Sequence, residues 1–359
     1  MKVGIIVGGT GAQGAAVIRH LSSLNLYSLR VLTRNLNSVQ AQALTALPNV
    51  TLVQSSPVGH DEASFLTAAE GADFAFINTD GFSIGEVAEI YWGIRFYELS
   101  VRVGIKHFIY STLDNLGPST GYKQEFHIGH YYGKSRVVEF LESQKSNATT
   151  WSAISSGPYV EMIYEALAPV LSADGKTYIF PYPLGQGAMP FINLDDFAKY
   201  TAHIIANPTA FASTTLEVAT CHASGEDIAA ALTTVTGYPA KYINTPVNDW
   251  LEKTFEKEPL GPNQRVGLGA SSGHIDTGLS EAFFPLTFGQ NFTAWWNVFN
   301  HSAGNKGIIK RDYGMLDKIL PDRVRSVEEW MRKVEYTAGE KKKVLKRLNQ
   351  VAENAKKEG

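Results

Sequence analysis

The stretch VGGTGAQGAAVIRHL, Val7 to Leu21, decides the fold. It follows the short apolar run Val3–Val7 and leads into a helix-like run ending near Leu24. Gly8, Gly11 and Gly14 fall three residues apart across the junction. A pyrophosphate must be met without bulky side chains, and free backbone N–H groups at a helix start, aided by the helix dipole, do this. Glycines allow the tight turn and the close approach, and the last lets the helix pack on the strand. A strand–glycine loop–helix therefore predicts dinucleotide binding, with Thr10 and Gln13 of the same loop beside the ligand.

Working outward, strands alternate with helices through the first half. Tyr27–Arg34, Val50–Gln54, Asp73–Thr79, Lys106–Thr112 and Thr149–Gly157 read as strands two to six. Ser38–Leu47, the stretch from Asp61 to about Gly71 and the long run ending at Gly104 read as helices. Most strands are continuous apolar runs, which predicts a parallel sheet covered on both faces. The expectation is an α/β doubly wound sheet of Rossmann type with its ligand at the carboxyl ends of the strands. A smaller C-terminal α/β domain is expected after about residue 157, where the rhythm changes and a further βαβ-like piece follows. The expected division is 1–157 for nucleotide binding, 158–335 for a substrate or partner domain that exchanges elements with the first, and 336–359 for an amphipathic helix. In that last segment Val344, Leu345, Leu348 and Val351 recur at helical spacing. The Gly-rich stretch 261–278 reads as a loop over a pocket.

The second strand ends Thr33-Arg34, where an NAD site usually offers a carboxylate to the ribose hydroxyls. A cation there favours a 2′-phosphate, hence NADP(H). Asn78 and Thr79, ending the fourth strand, are expected along the cofactor.

Composition narrows the rest. The chain has 359 residues with 44% hydrophobic and 19% charged, enough for a full core. The single cysteine, Cys221, excludes an internal disulfide and reads as a small apolar residue in a reducing compartment. The expected location is cytoplasmic, with the nucleus also open to it. The apolar N-terminus reads as a first strand and not a signal peptide. No run of about 18 apolar residues suggests a membrane span. Net charge is −3, which gives no reason to expect bulk nucleic-acid binding. Residues 306–359 are basic, with 15 Lys/Arg against 9 Asp/Glu. The nine histidines show no metal-ligand spacing.

The order of VGGTGAQGAAVIRHL, VLTRN, PNVTLVQ, EGADFAFINT, IKHFIYSTLDN, SSGPYVEM and MPFINLDDFAKY resembles the NmrA-like family, an atypical branch of the short-chain dehydrogenase/reductases, from about Met1 to Pro246. The resemblance implies a Rossmann domain, a smaller C-terminal domain with a cleft between the two, and NADP(H). Tyrosine-bearing members of the wider superfamily carry Ser and Tyr-x-x-x-Lys, the phenol donating a proton and the lysine holding the nicotinamide ribose. Here Ser111 takes the serine position and Lys134 the lysine position, but His130 stands where the tyrosine would be. Tyr131 and Tyr132 are out of register on a helix. The resemblance implies Gly157, Pro158 and Tyr159 at the nicotinamide, and assigns no catalysis to Asp195 or Asp196. His127 reads as a surface residue.

Two functions follow as expectations. One is an NADPH-dependent reductase of a small carbonyl, quinone, imine or enone, using Lys134 and His130. Tyr159, Tyr164, Phe284 and Trp295 would then wall an apolar pocket. The other is a non-catalytic NADP(H) redox sensor that docks a regulatory protein.

Overall fold

The computed structural model describes residues 1–57, 59–144, 148–255, 261–263, 266 and 286–345. Apart from Gly261–Asn263 and Val266, the loop 261–278 lies outside them, as does Phe284.

The first half alternates strand and helix as expected. The strands are β1 (Lys2–Val7), β2 (Tyr27–Thr33), β3 (Val50–Gln54), β4 (Phe74–Ile77), β5 (His107–Thr112) and β6 (Thr150–Ser155). Between them run α1 (Ala12–Ser23), α2 (Val39–Thr45), α3 (Glu62–Ala69), α4 (Gly81–Val103), α5 (Leu116–Thr120) and α6 (Gly129–Ser143). Beyond β6 come β7 (Val170–Leu171), β8 (Tyr178–Tyr182), β9 (Met189–Phe191), α7 (Leu194–Ala206), β10 (Thr214–Glu217), β11 (Cys221–Ala223), α8 (Gly225–Thr236) and β12 (Ala240–Asn244). Then follow α9 (Val247–Phe255), α10 (Phe288–Asn300), α11 (Tyr313–Ile319) and α12 (Val327–Lys333).

Seven strands form one sheet in the order β10-β6-β5-β4-β1-β2-β3, every neighbouring pair parallel. The order reverses between β1 and β4, which opens a crevice at their carboxyl ends. Alternate side chains of β1 enter opposite layers. Ile6 packs in the cluster containing α1 and α7, and Ile5 and Val7 in the one containing α3, α4 and α6. Both faces are therefore dry, which accounts for the unbroken apolar runs.

The seventh strand, Thr214–Glu217, comes from the second half of the chain and pairs with β6. The first sheet is thus completed across the boundary at residue 157. The remaining strands form a two-stranded antiparallel pair, β11-β9, and a three-stranded sheet, β12-β8-β7. A third apolar cluster joins these to α8, α10 and α12, with Trp296, Tyr182 and Phe180 at its centre. Ser224 and Asp227 form the reciprocal cap that opens α8, and Ser326 caps α12.

The expected helix over 336–359 is corrected in its described part. Residues 336–345 contain no helix. Tyr336 is buried, Gly339 sits at φ +83° and Val344 packs against two of the apolar clusters, so the chain lies flat on the molecule. The rest of that helix lies outside the described residues. None of the described helices is long and apolar enough to cross a membrane.

Candidate functional site

A cavity of about 400 Å³ opens at the carboxyl ends of the strands. Val7, Gly8, Thr10, Gly11 and Gln13 line it from the glycine loop, Thr33 and Arg34 from the end of β2, and Asn78 and Thr79 from the end of β4. Gly157, Pro158 and Tyr159 enter from beyond β6, and His130 and Lys134 from α6. Two expected residues stand behind the wall. Gly14 serves packing, and Ser111 is wholly buried with its hydroxyl donating to Gln13 Oε1 at 2.6 Å. Thr112 and Leu113 present themselves to the cavity instead.

The glycine loop is sterically over-determined. Gly8 has φ +76°, and a Cβ there would overlap the Asn78 carbonyl oxygen. A Cβ on Gly14 would overlap the Gly8 oxygen and lie 2.7 Å from Gly9 Cα. Gly11 is the N-cap of α1, and among the described residues no side chain caps that helix start. Its first amides therefore face the cavity without a protein acceptor, the arrangement an anion needs. Arg34 is half-buried at the rim, and among the described residues no carboxylate pairs with it. The loop, the open amides and the unpaired guanidinium fit a phosphorylated dinucleotide.

Lys134 is the polar centre of the floor. Its Nζ lies 3.0 Å from the Thr79 carbonyl oxygen, 3.1 Å from that of Ser111, 3.3 Å from Asn78 Oδ1 and 3.3 Å from Glu89 Oε1. Glu89, on α4, is completely buried, and its Oε1 also accepts the Thr79 hydroxyl at 2.8 Å. Burial pushes its carboxyl above the usual range, against the pull of Lys134 and Thr79. The Tyr110 hydroxyl lies 3.1 Å from Thr79 Oγ1, and its ring lies under the lysine, 5.5 Å from Nζ to the ring centre.

His130 is buried between Phe82, with ring centres 4.4 Å apart, and Asn291, whose Oδ1 lies 3.3 Å from the ring Nδ1. Desolvation lowers its pKa to about 3, so it is neutral at pH 7. A neutral imidazole is a poor acid, so the geometry does not make His130 the proton donor its near-neutral intrinsic pKa suggested. A stability signature follows. The folded value lies below the unfolded value near 6.5, so the benefit of burying neutral imidazole is complete above that pH. It is lost progressively as pH falls toward 3. Between pH 6.5 and 5 the stability advantage of wild type over His130→Gln is expected to shrink by about 1.6 kcal/mol, the slope approaching about 1.4 kcal/mol per unit at the acid end. Urea unfolding at the two pH values checks it.

The far wall is aromatic: Phe82, Tyr131, Trp250, Phe292 and Trp295, with Met162 and Ile84. Leu345 closes one side from the C-terminal stretch, its N–H donating to Glu165 at 2.9 Å. Of the other expected aromatics, Tyr164 packs on Trp330 and Tyr336 away from the cavity. Tyr132 stacks on His127, which also bonds Glu86 at 3.0 Å. Asp196 is structural: its Oδ2 accepts from Asn193 and from the Val324 N–H. Cys221 is half-buried, its thiol pushed up to about 12 by burial, so it stays protonated. Among the described residues no cluster of His, Cys, Asp and Glu is arranged to hold a metal.

Glu89 escaped the sequence reading, as did Trp250, Phe292 and the buried pair Asp114–Arg311. A signal for Glu89 existed. With Gly93, Phe96 and Ser100 it recurs at helical spacing on the buried face of α4, beyond the kink at Gly85.

Fold and crevice together define a doubly wound Rossmann-type protein. The chain belongs to the NmrA-like family, whose model matches residues 2–268. It is 27% identical over 266 residues to the NmrA-like family domain-containing oxidoreductase malD of Malbranchea aurantiaca, covering 69% of this chain and 76% of that protein. Among solved structures it is similar to NmrA, a negative transcriptional regulator, in complex with NADP. The TM-score is 0.69 at 21% identity, covering 93% of this chain and 95% of that one. It is also similar to the NADPH-dependent quinone oxidoreductase QOR2 of Escherichia coli complexed with NADPH, with a TM-score of 0.64 at 20% identity, covering 93% and 100%.

Proposed function

We propose that this protein is an NADPH-dependent reductase of a small organic carbonyl, quinone, imine or enone. The observation that carries the reading is Lys134: a lysine amine set in the floor of an aromatic-walled cavity, five acceptor oxygens around it, beside the glycine loop. The naming of relatives as oxidoreductases supports it.

In this reading the first amides of α1 hold the diphosphate, and Arg34 holds a 2′-phosphate through charge-assisted hydrogen bonds. Asn78 and Lys134 hold the nicotinamide ribose, and Pro158 and Tyr159 border the ring. Bound NADPH supplies a hydride. Lys134 supplies the proton, from Nζ to the substrate oxygen or nitrogen that gains charge. Phe82, Trp250, Phe292 and Trp295 exclude water and favour a flat, uncharged substrate. Ser111 acts only through its carbonyl oxygen, which orients the lysine.

A second reading, a non-catalytic NADP(H) sensor that docks a regulatory protein, is favoured by His130, buried and neutral in the tyrosine position. One experiment separates the two. Purified protein is incubated with NADPH and a panel of quinones and carbonyls, and nicotinamide absorbance is followed for wild type and Lys134→Ala. The reductase predicts turnover that falls about 100-fold or more in the variant, the scale of lost acid catalysis. Tight NADPH binding with no turnover on any substrate identifies the sensor.

A further inference from the structure

We propose that Glu89 is the positioning residue for Lys134: its buried carboxylate is the counter-charge that keeps the lysine an ammonium at the cavity floor. The catalytic consequence rests on the reductase reading. The ion pair itself does not.

A carboxylate is costly to bury, and this one has a place made for it. Among the described residues its Oε2 has no hydrogen-bond partner, and it lies against two glycines on two helices. A Cβ on Gly81, at the start of α4, would overlap Oε2. A Cβ on Gly133, the residue before Lys134, would come within 2.9 Å of it. Both helices therefore carry glycine where the carboxyl group needs room.

The hydrogen bonds also favour the ionised form. Oε1 already meets two donors, Thr79 and Lys134. A protonated carboxyl would need an acceptor, and among the described residues Oε2 faces none. The ionised form asks no acceptor of Oε2, and the Lys134 charge 3.3 Å from Oε1 offsets the cost of burying it.

The other titratable groups facing the pair are Asp80, Tyr110 and His130. Asp80, at the N-cap of α4, is acidic and pushes Glu89 upward. Tyr110, from β5, is held neutral well above the usual phenol range by burial, and His130, from α6, is a neutral imidazole. Lys134 is the cation the carboxylate meets.

An ammonium has three N–H groups. Around them stand the Thr79 and Ser111 carbonyl oxygens, Asn78 Oδ1, Thr79 Oγ1 and Glu89 Oε1, more acceptors than three N–H groups can each serve. A neutral amine has two, and would strand a backbone acceptor or Glu89. In the reaction an Nζ–H bond breaks, an O–H or N–H bond forms on the substrate, and the electron pair stays on nitrogen. A proton from water then restores the ammonium, drawn by the carboxylate beneath it.

The test is nuclear magnetic resonance on 13C,15N-labelled full-length protein without cofactor. The Lys134 Cε–Nζ correlation is followed against pH in wild type, Glu89→Gln and Glu89→Asp. The midpoint is expected to fall by about one pH unit or more in Glu89→Gln, a tenfold loss of proton affinity, and to recover at least half of that, but not all of it, in Glu89→Asp. With NADPH and a substrate, the alkaline limb of kcat/KM moves toward neutrality in the same order. A midpoint unmoved in Glu89→Gln, or equally lowered in both variants, overturns the proposal. So does a rate loss that is uniform across pH. If Glu89→Gln does not fold, Glu89→Asp decides: a lowered midpoint supports the proposal and an unchanged one overturns it. If no substrate turns over, the reductase reading fails and the resonance titration still decides the ion pair.

Discussion

Replacing Gly14 with alanine is expected to weaken NADPH binding by at least about 100-fold, roughly 3 kcal/mol of lost affinity. The added Cβ would overlap the Gly8 carbonyl oxygen and lie 2.7 Å from Gly9 Cα and 2.8 Å from the Gly8 carbonyl carbon. All three are backbone atoms, so no side chain can swing aside. The loop must open or α1 must back away from β1, and either movement takes the helix amides off the diphosphate. Gly11 is the internal control, since its Cβ would meet only the Gly8 oxygen at 3.3 Å. Gly11→Ala is expected to weaken binding less. Equilibrium binding of NADPH to the two variants, with circular dichroism to confirm folding, checks the ordering.

The largest stability effect is expected at Asp114 and Arg311. The guanidinium is fully buried and grips the carboxylate with both terminal nitrogens, at 2.7 and 2.9 Å. It also donates to the backbone oxygens of Val218 and Ser156. One side chain, 197 residues from Asp114 in sequence, thus fastens the C-terminal region to the ends of β5, β6 and β10. Asp114→Ala removes the counter-charge and leaves the cation in a dry site, which costs about 3–5 kcal/mol. Replacing both residues with apolar ones is expected to cost less than the single change, because no lone charge remains. Denaturant unfolding of the single and double variants measures this. A single-variant loss below about 1 kcal/mol would show that the pair is solvated.

What could be read from the chain depended on how local the physics is. The glycine loop is legible because its constraint lies within seven residues: a turn, an approach and a packing contact. β1, β4, β5 and β6 are legible as apolar runs because they are buried on both faces, whereas β2 is buried at alternate residues and the edge strand β3 is only half covered. β10 is short and half polar, and only its pairing with β6, about sixty residues earlier, reveals its sheet. Glu89 and Lys134 are 45 positions apart on separate helices, so no motif links them. Trp250 and Phe292 look like any core aromatic until the fold brings them to the cavity. His130 was noticed, but its neutral state comes from burial against Phe82 and Asn291, which a single sequence does not display.

The central claim is that the helix amides hold a diphosphate while Arg34 holds a 2′-phosphate. Isothermal calorimetry with NADPH and NADH, on wild type and Arg34→Ala, tests it most directly. Saturable NADPH binding is expected in wild type. The variant should lose about 1.5–3 kcal/mol of NADPH affinity, the scale of hydrogen bonds to charged groups, with little change for NADH. Absence of saturable binding by either form to the folded protein would contradict the whole account. An equal loss for both cofactors would remove Arg34 from the 2′-phosphate.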